Sequence, residues 1–369
     1  MTISINSVAT SSAIFIALFT LVTLLWRSKK STDYTSKNTT QELKGFAILA
    51  VIFAHIGYFL VDDHQFIFPL SVLGGVGVNI FLVLSGYGLT LSQLHKQESI
   101  LRFYKRKLLG LFIPFWIVIA TFLSLDYFVL HIEYGTTFML KTFFGIFTSA
   151  QIYTDFNSPL WYLTFILGYY ILFPILFSKK YPWLSAIGMY VSTSIILYFI
   201  KDLFSGVEEL YRTHIFAFPI GMLVASIIHS SQNNSSLISN RVKNKIKETY
   251  NKYTYILQPA VMTLLISIFS YLAIHSGVGE GIKIEQTLSL LTVLTLVIIF
   301  VLKKYEYKVL SIFGLYSYEI YLFHWPIMYR YDVLYTSTPA WLATILYLII
   351  FIGLGFLLKK ISTQILGKF

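Results

Sequence analysis

Ile113-Pro114-Phe115-Trp116-Ile117-Val118-Ile119-Ala120-Thr121-Phe122-Leu123 lies inside a longer run, residues 108–130, in which apolar and aromatic side chains cover a helix on every side. A helix apolar all round has no face for water, and about 20 such residues cross a hydrocarbon core of about 30 Å. Runs of this kind recur at 9–26, 43–61, 70–92, 159–177, 182–200, 213–228, 255–274, 287–302, 309–328 and 338–358. The fold class they predict is all-α: a polytopic transmembrane helical bundle crossing the bilayer about eleven times. A further stretch at 138–152 is too short and polar to span and reads as re-entrant or interfacial.

Composition agrees. Of 369 residues, 56% are apolar and only 12% charged, and the mean hydropathy is +0.70. A soluble domain has roughly a quarter of its residues charged, so this chain lacks the charge to cover a water-facing surface. The 32 Phe, 27 Tyr and 6 Trp suit helices packing in lipid with rings at both interfaces. The absence of Cys excludes disulfides, thiolate nucleophiles and thiol acyl carriers. No HExxH or carboxylate cluster points to a metal.

Lys and Arg give the orientation. With the N-terminus outside, the inner segments 27–44, 93–107, 178–181, 229–254, 303–308 and 359–369 hold 23 of the 28 basic residues; Lys141, Lys201, Arg212, Lys283 and Arg330 remain outside. That asymmetry is the positive-inside signature of a multi-pass protein of the cytoplasmic membrane with its C-terminus inside. It accounts for most of the net charge of +11 without a nucleic-acid partner. The first run, followed by Trp26-Arg27 rather than by a small-residue cleavage site, reads as a retained span. Residues 229–254, rich in Ser, Asn and Lys, read as the longest polar loop, a cytoplasmic linker.

Ionisable groups inside hydrocarbon are costly, so each is a functional candidate. His55 lies in the second span, and Lys44 stands at that helix's inner mouth. Their separation of eleven residues is about three turns, which puts both on one face about 16 Å apart. A neutral imidazole there can accept a proton, although a histidine satisfied by a neighbouring helix fits equally well. Ser317, Tyr321 and His324, four and three apart, form one polar stripe facing the bundle, and His324 next to Trp325 can equally be an interfacial anchor. In Gly74-Gly75-Val76-Gly77-Val78-Asn79-Ile80-Phe81-Leu82-Val83-Leu84-Ser85-Gly86-Tyr87-Gly88 the glycines permit close backbone approach, and Asn79 and Ser85 supply buried polar groups. The cluster Lys105-Arg106-Lys107 at the inner mouth of 108–130 suits phosphates of a cytosolic ligand, or topology and anionic lipid headgroups.

In this order the stretches resemble the acyltransferase-3 family of integral membrane acyltransferases, which includes polysaccharide O-acetyltransferases. Lys44 and His55 are similar to its basic-x10-His motif, Asn79–Tyr87 to its FFxLSGF stretch, and the basic run before Ile113-Pro114-Phe115-Trp116 to its third motif. Leu160-Trp161-Tyr162-Leu163 with Phe173-Pro174 resembles the fourth, and Gly314–His324 the closing SYxIYLxH signature. The likeness covers about 43–358, which makes 43–369 a ten-helix acyltransferase domain and 1–42 an additional N-terminal transmembrane helix with its cytoplasmic linker. Departures are Lys44 in place of Arg, Ile166 where many members carry Glu, and Gly110 where a second Arg is common.

The resemblance implies O-acyl transfer, with acetyl-CoA as a cytosolic donor rather than a permanently bound cofactor, and a hydroxyl of a cell-surface or lipid-linked polysaccharide as acceptor. It implies His55, with Lys44, as the catalytic pair, His55 acting as general base or as acyl carrier. Lys105, Arg106 and Lys107 would hold the CoA phosphates. Asn79, Ser85, Trp161, Tyr321 and His324 would serve the acceptor and the developing oxyanion. A multi-span transporter or flippase of a sugar-containing substrate is the competing expectation, separable because it would move its substrate without changing it. Membrane lipids are the remaining partners.

Overall fold

Ten residues, close to three turns, separate Gly45 from His55, and the helix that carries Gly45 organises the bundle. The computed structural model describes residues 3–29, 37–96, 98–235, 240–276 and 282–367, and the side chains of 232–235, 240–257 and 282 lie outside the description. Helices follow one another along the chain. They are α1 Val8–Leu25, α2 Lys37–Ala54, α3 Gly74–His95, α4 Ile100–Val129, α5 Thr136–Phe143, α6 Trp161–Leu176 and α7 Pro182–Ile200. The remainder are α8 Glu208–His214, α9 Ala217–Ser235, α10 Asn240–His275, α11 Ile282–Leu302, α12 Lys308–Leu315, α13 Ser317–Trp325 and α14 Ala340–Leu366. A two-stranded antiparallel clip, β1 Arg27–Lys29 with β2 Tyr305–Tyr307, pairs Arg27 with Tyr307.

Ten described helices are long and apolar enough to cross a membrane. The eleventh expected span, 309–328, is broken: α12 ends at Tyr316 (φ −113°, ψ 14°), α13 restarts at Ser317, and a π turn, Pro326–Arg330, follows. A broken helix survives at membrane depth only where protein surrounds it, and α13 is buried along nearly its whole length. The polar segment 229–254 is also not a loop where it is described. The α9 helix continues to Ser235 and α10 starts at Asn240, because Lys, Arg and Glu are good helix formers however polar they are. Residues 236–239 of that segment, and 30–36 of the first linker, lie outside the described residues. The 138–152 stretch holds most of the short helix α5, then turns and a bridge from Ser149 to Gly206, and Trp116 Nε1 donates to the Phe143 carbonyl at 2.9 Å.

Backbone contacts set the helix crossings. A Cβ on Gly45 would lie 1.8 Å from the Leu310 carbonyl oxygen, and one on Gly314 would lie 1.8 Å from that of Gln41, so α2 and α12 touch main chain to main chain. The same reciprocity joins α3 to α9, where a Cβ on Gly86 would meet the Phe218 oxygen at 2.2 Å and one on Gly221 that of Val83 at 2.1 Å. Small residues at a crossing let van der Waals contact between backbones replace the hydrophobic drive that lipid does not supply. Near the clip, buried Glu42 takes Lys303 Nζ and the Tyr307 N–H at 2.5 Å each. At the opposite end, buried Asp126 accepts from the Tyr134 and Tyr331 hydroxyls and lies 3.2 Å from Arg330. Burial, with those bonds, pushes both phenols above their usual range. This node ties the segment after α4 to the segment after α13.

Replacing Gly45 or Gly314 with Ala is expected to lower the melting temperature in detergent by several degrees, since no neighbour can yield except backbone. Gly353→Ala, with nothing within 4 Å of the new Cβ, should be neutral or slightly stabilising through helix propensity. Identical melting curves for Gly45→Ala and Gly353→Ala would show that the α2–α12 crossing is loose.

Candidate active site

The last α-helical residue of α2 is Ala54, and His55 opens the π turn that carries the chain to Leu60. A π turn widens the helix by one residue per hydrogen-bonded ring and is found mostly at functional positions. It turns the His55 imidazole toward α13. There the His55 and His324 rings lie parallel, 5.0 Å between centroids and 7° between planes, with His55 Nδ1 2.7 Å from His324 Nε2.

The tautomers follow from what lies behind His324. Its Nδ1 is 2.9 Å from the Tyr321 carbonyl oxygen and 3.2 Å from that of Ile320. A carbonyl only accepts, so His324 Nδ1 carries hydrogen and its Nε2, in the neutral ring, carries the lone pair. His55 Nδ1 must then donate to His324 Nε2, leaving the lone pair of His55 on Nε2. Each residue thus fixes the tautomer of the next, from the Tyr321 carbonyl to the outer nitrogen of His55.

His55 lines a cavity of about 290 Å³ together with Tyr58, Trp161, His214, Ser289 and Trp325. His324, fully buried, does not line it. It stands behind His55 rather than facing a ligand in that space. Trp325 meets the His55 ring edge-on at 5.3 Å, and its buried indole N–H has no acceptor among the described residues.

A second cavity of about 320 Å³ opens toward the α4 N-terminus and is lined by Lys44, Ser85, Arg106, Lys107, Tyr170 and Tyr321, among others. Arg106 is held by Glu98 through two bonds of 3.0 and 2.6 Å, which keep the Glu98 carboxyl below the usual carboxylate range. Lys107 Nζ lies 5.5 Å from the centre of the Tyr170 ring. Lys105 is exposed and does not line this space. Gly110 and Ile166, two of the departures noted above, do.

The structure therefore sorts the expected site residues into two groups. His55 and Trp161 share the first cavity, and Lys44, Arg106, Lys107, Ser85 and Tyr321 share the second, with Lys105 in neither. Tyr321 donates its hydroxyl to the Pro159 carbonyl at 2.7 Å and packs edge-on against Tyr162 at 5.5 Å, so that these two rings stand on the first cavity's side of the second. Asn79 is fully buried and committed: its Nδ2 donates to Ser289 Oγ at 2.8 Å, and its Oδ1 meets His214 Nδ1 at 2.8 Å. His214 itself was not singled out from sequence. Its signal was an ionisable residue at the start of the span 213–228. Among the described residues no group of three His, Asp or Glu is arranged to hold a metal ion.

The paired imidazoles and the cavity lined by Lys44, Arg106 and Lys107 both lie within the stretch that the family comparison matches. The chain belongs to the acyltransferase-3 family, whose acyltransferase-domain model matches residues 43–360. Fold and family together define a multi-pass membrane acyltransferase. No curated protein and no solved structure gives a significant match.

The tautomer chain is open to measurement. In protein labelled with 15N at histidine, His55 should show the less common Nδ1–H form, and His324→Ala should release it to the usual Nε2–H form. A His55 signal that stays unchanged in His324→Ala would break the chain at its first link.

Proposed function

We propose that this protein transfers an acetyl group from cytosolic acetyl-CoA to a hydroxyl of a cell-surface or lipid-linked polysaccharide. The observation that carries the reading is the His324–His55 contact, which aims a proton-accepting nitrogen into a cavity while three cations line a separate one. As the sugar oxygen attacks the thioester carbonyl, His55 Nε2 takes its proton and the C–O bond forms. The tetrahedral intermediate then collapses, the C–S bond breaks, and the CoA thiolate leaves and takes up the proton. The imidazolium formed on the way is stabilised by its Nδ1–H bond to His324, the orienting role that the third member of a catalytic triad plays. The unpaired Trp325 N–H beside His55 is the donor we assign to the oxyanion, since the Asn79 and Tyr321 groups have protein partners and Ser85 lies in the other cavity.

Lys44, Arg106 and Lys107 suit the donor's phosphates. With the basic ends of the helices on the cytosolic side, acetyl-CoA enters there and the N-terminus lies outside. A reporter fused at Asn233 should then be cytoplasmic and one at Thr137 external, and the reverse labelling at both would put the donor on the wrong side.

Activity separates the roles. His55→Ala is expected to lower acetyl transfer about 10²–10⁴-fold at matched membrane abundance. His324→Ala should cost about tenfold or more, and the double variant should be no worse than His55→Ala, because the two act as one unit. Lys107→Gln should raise KM for acetyl-CoA with little change in kcat, whereas Lys105→Gln should change neither. Envelope glycans from a deletion strain should lose ester-linked acetyl. A His55→Ala protein that binds acetyl-CoA and acetylates at the normal rate would falsify the mechanism.

A further inference from the structure

His214 is a second histidine in the cavity that holds His55, and the catalytic scheme does not use it. It ends α8, is 4% exposed, and its ring lies nearly parallel to Trp161, 5.8 Å between centroids and 17° between planes. Its Nδ1 is fixed at 2.8 Å from Asn79 Oδ1, and Asn79 in turn donates to Ser289 Oγ. With the amide oxygen accepting, Nδ1 carries the hydrogen and Nε2 the lone pair. Among the described residues none is hydrogen-bonded to that Nε2, while α3 and α11 between them hold the other side of the ring in place. His214 lines the cavity, and a ring nitrogen there with its lone pair unused is free to accept a hydrogen bond from a ligand.

The rest of the cavity says what would bind. Among its described lining residues there is no Lys or Arg, and the one acid is Glu285. A carboxylate or phosphate would enter without a counter-charge from these walls, at a large desolvation cost. Aromatic faces from Tyr58, Trp161 and Trp325 are interleaved with hydroxyls such as Ser158 and Thr213, the mixture of apolar wall and few placed polar groups that ligand sites use. At about 290 Å³ the space lies at the small end of such sites, roughly 300 Å³ upward, enough for one ring rather than an oligosaccharide.

We infer that this cavity is the acceptor site for one uncharged, hydroxyl-rich sugar ring, and that His214 Nε2 accepts a hydrogen bond from one ring hydroxyl and so selects which other hydroxyl meets His55. The inference rests on the acyl-transfer reading above and adds the charge class of the acceptor and the residue that sets its register. Asn79 is a positioning residue that acts through His214.

Binding tests it directly. Purified protein in lipid nanodiscs is titrated with neutral methyl hexopyranosides, with the corresponding methyl glucuronide, and with monodeoxy analogues of the best ligand, followed by saturation-transfer NMR. The wild type should bind at least one neutral glycoside, the glucuronide at least tenfold more weakly, and one monodeoxy analogue about tenfold more weakly. His214→Phe, which keeps the stack on Trp161, should bind the parent glycoside about tenfold more weakly and no longer distinguish that analogue. Asn79→Leu should behave alike, and His214→Gln, which restores an acceptor, should recover most of the discrimination. The inference is overturned if the wild type binds none of the neutral glycosides, if the glucuronide binds as well as its neutral counterpart, or if His214→Phe still distinguishes the deoxy analogue. Should His214→Phe not fold, the glucuronide ratio and His214→Gln decide alone. His55-dependent hydrolysis of acetyl-CoA by the same nanodiscs is measured in parallel. Its absence strikes the acyl-transfer reading and leaves the sugar-binding result standing.

Discussion

The main-chain contact between Gly45 on α2 and Gly314 on α12 is the constraint on which the site depends. Lipid gives helices no hydrophobic reason to associate, so their separation is decided by what stands between the backbones. With nothing there, α2 runs against α12, and the same helix, three turns on, carries His55 toward α13. A hydrogen bond of 2.7 Å between two imidazoles tolerates little change in spacing. The break at Tyr316 serves the same end: α12 lies along α2, and α13 starts afresh to present His324.

Much of this was legible in the residues. Ten of the expected crossings are helices long enough to span, and Gly77 and Gly86 do stand where helices touch closely, the former 2.6 Å in Cβ terms from the Ala47 carbonyl oxygen. The broken span was not, because 309–328 is continuously apolar and hydropathy says nothing of the Tyr316 torsions, which packing sets. Lys105, Arg106 and Lys107 read as one cluster, yet successive helical residues point about 100° apart, so three in a row cannot all face one cavity. His324 read as a ligand-facing group because its stripe with Ser317 and Tyr321 was visible; which side of His55 that stripe would occupy was not, since it depends on the pairing of two helices 269 residues apart in sequence. Asn79 was recognisable as a buried polar group, but its partners come from α8 and α11, which no local pattern connects to α3.

The two cavities differ in electrostatic character more than in size. One gathers Lys44, Arg106 and Lys107; the other has no Lys or Arg among its described walls. Under the proposed reaction this division keeps a polyanionic donor and an uncharged acceptor from competing for the same space, and it leaves only the small acyl group to be shared between them.

A line of imidazoles inside a membrane protein is also a hazard, for linked titratable groups spanning from one face to the other conduct protons down the electrochemical gradient. Here the line has a terminus. His324 Nδ1 faces the carbonyl oxygens of Tyr321 and Ile320, and a peptide carbonyl can hold a hydrogen bond but has no proton of its own to hand on. Under the proposed mechanism, whatever proton His55 collects must return by the way it came. A base of that kind, open to one cavity alone, would sit in an energised bilayer and not short-circuit the potential across it.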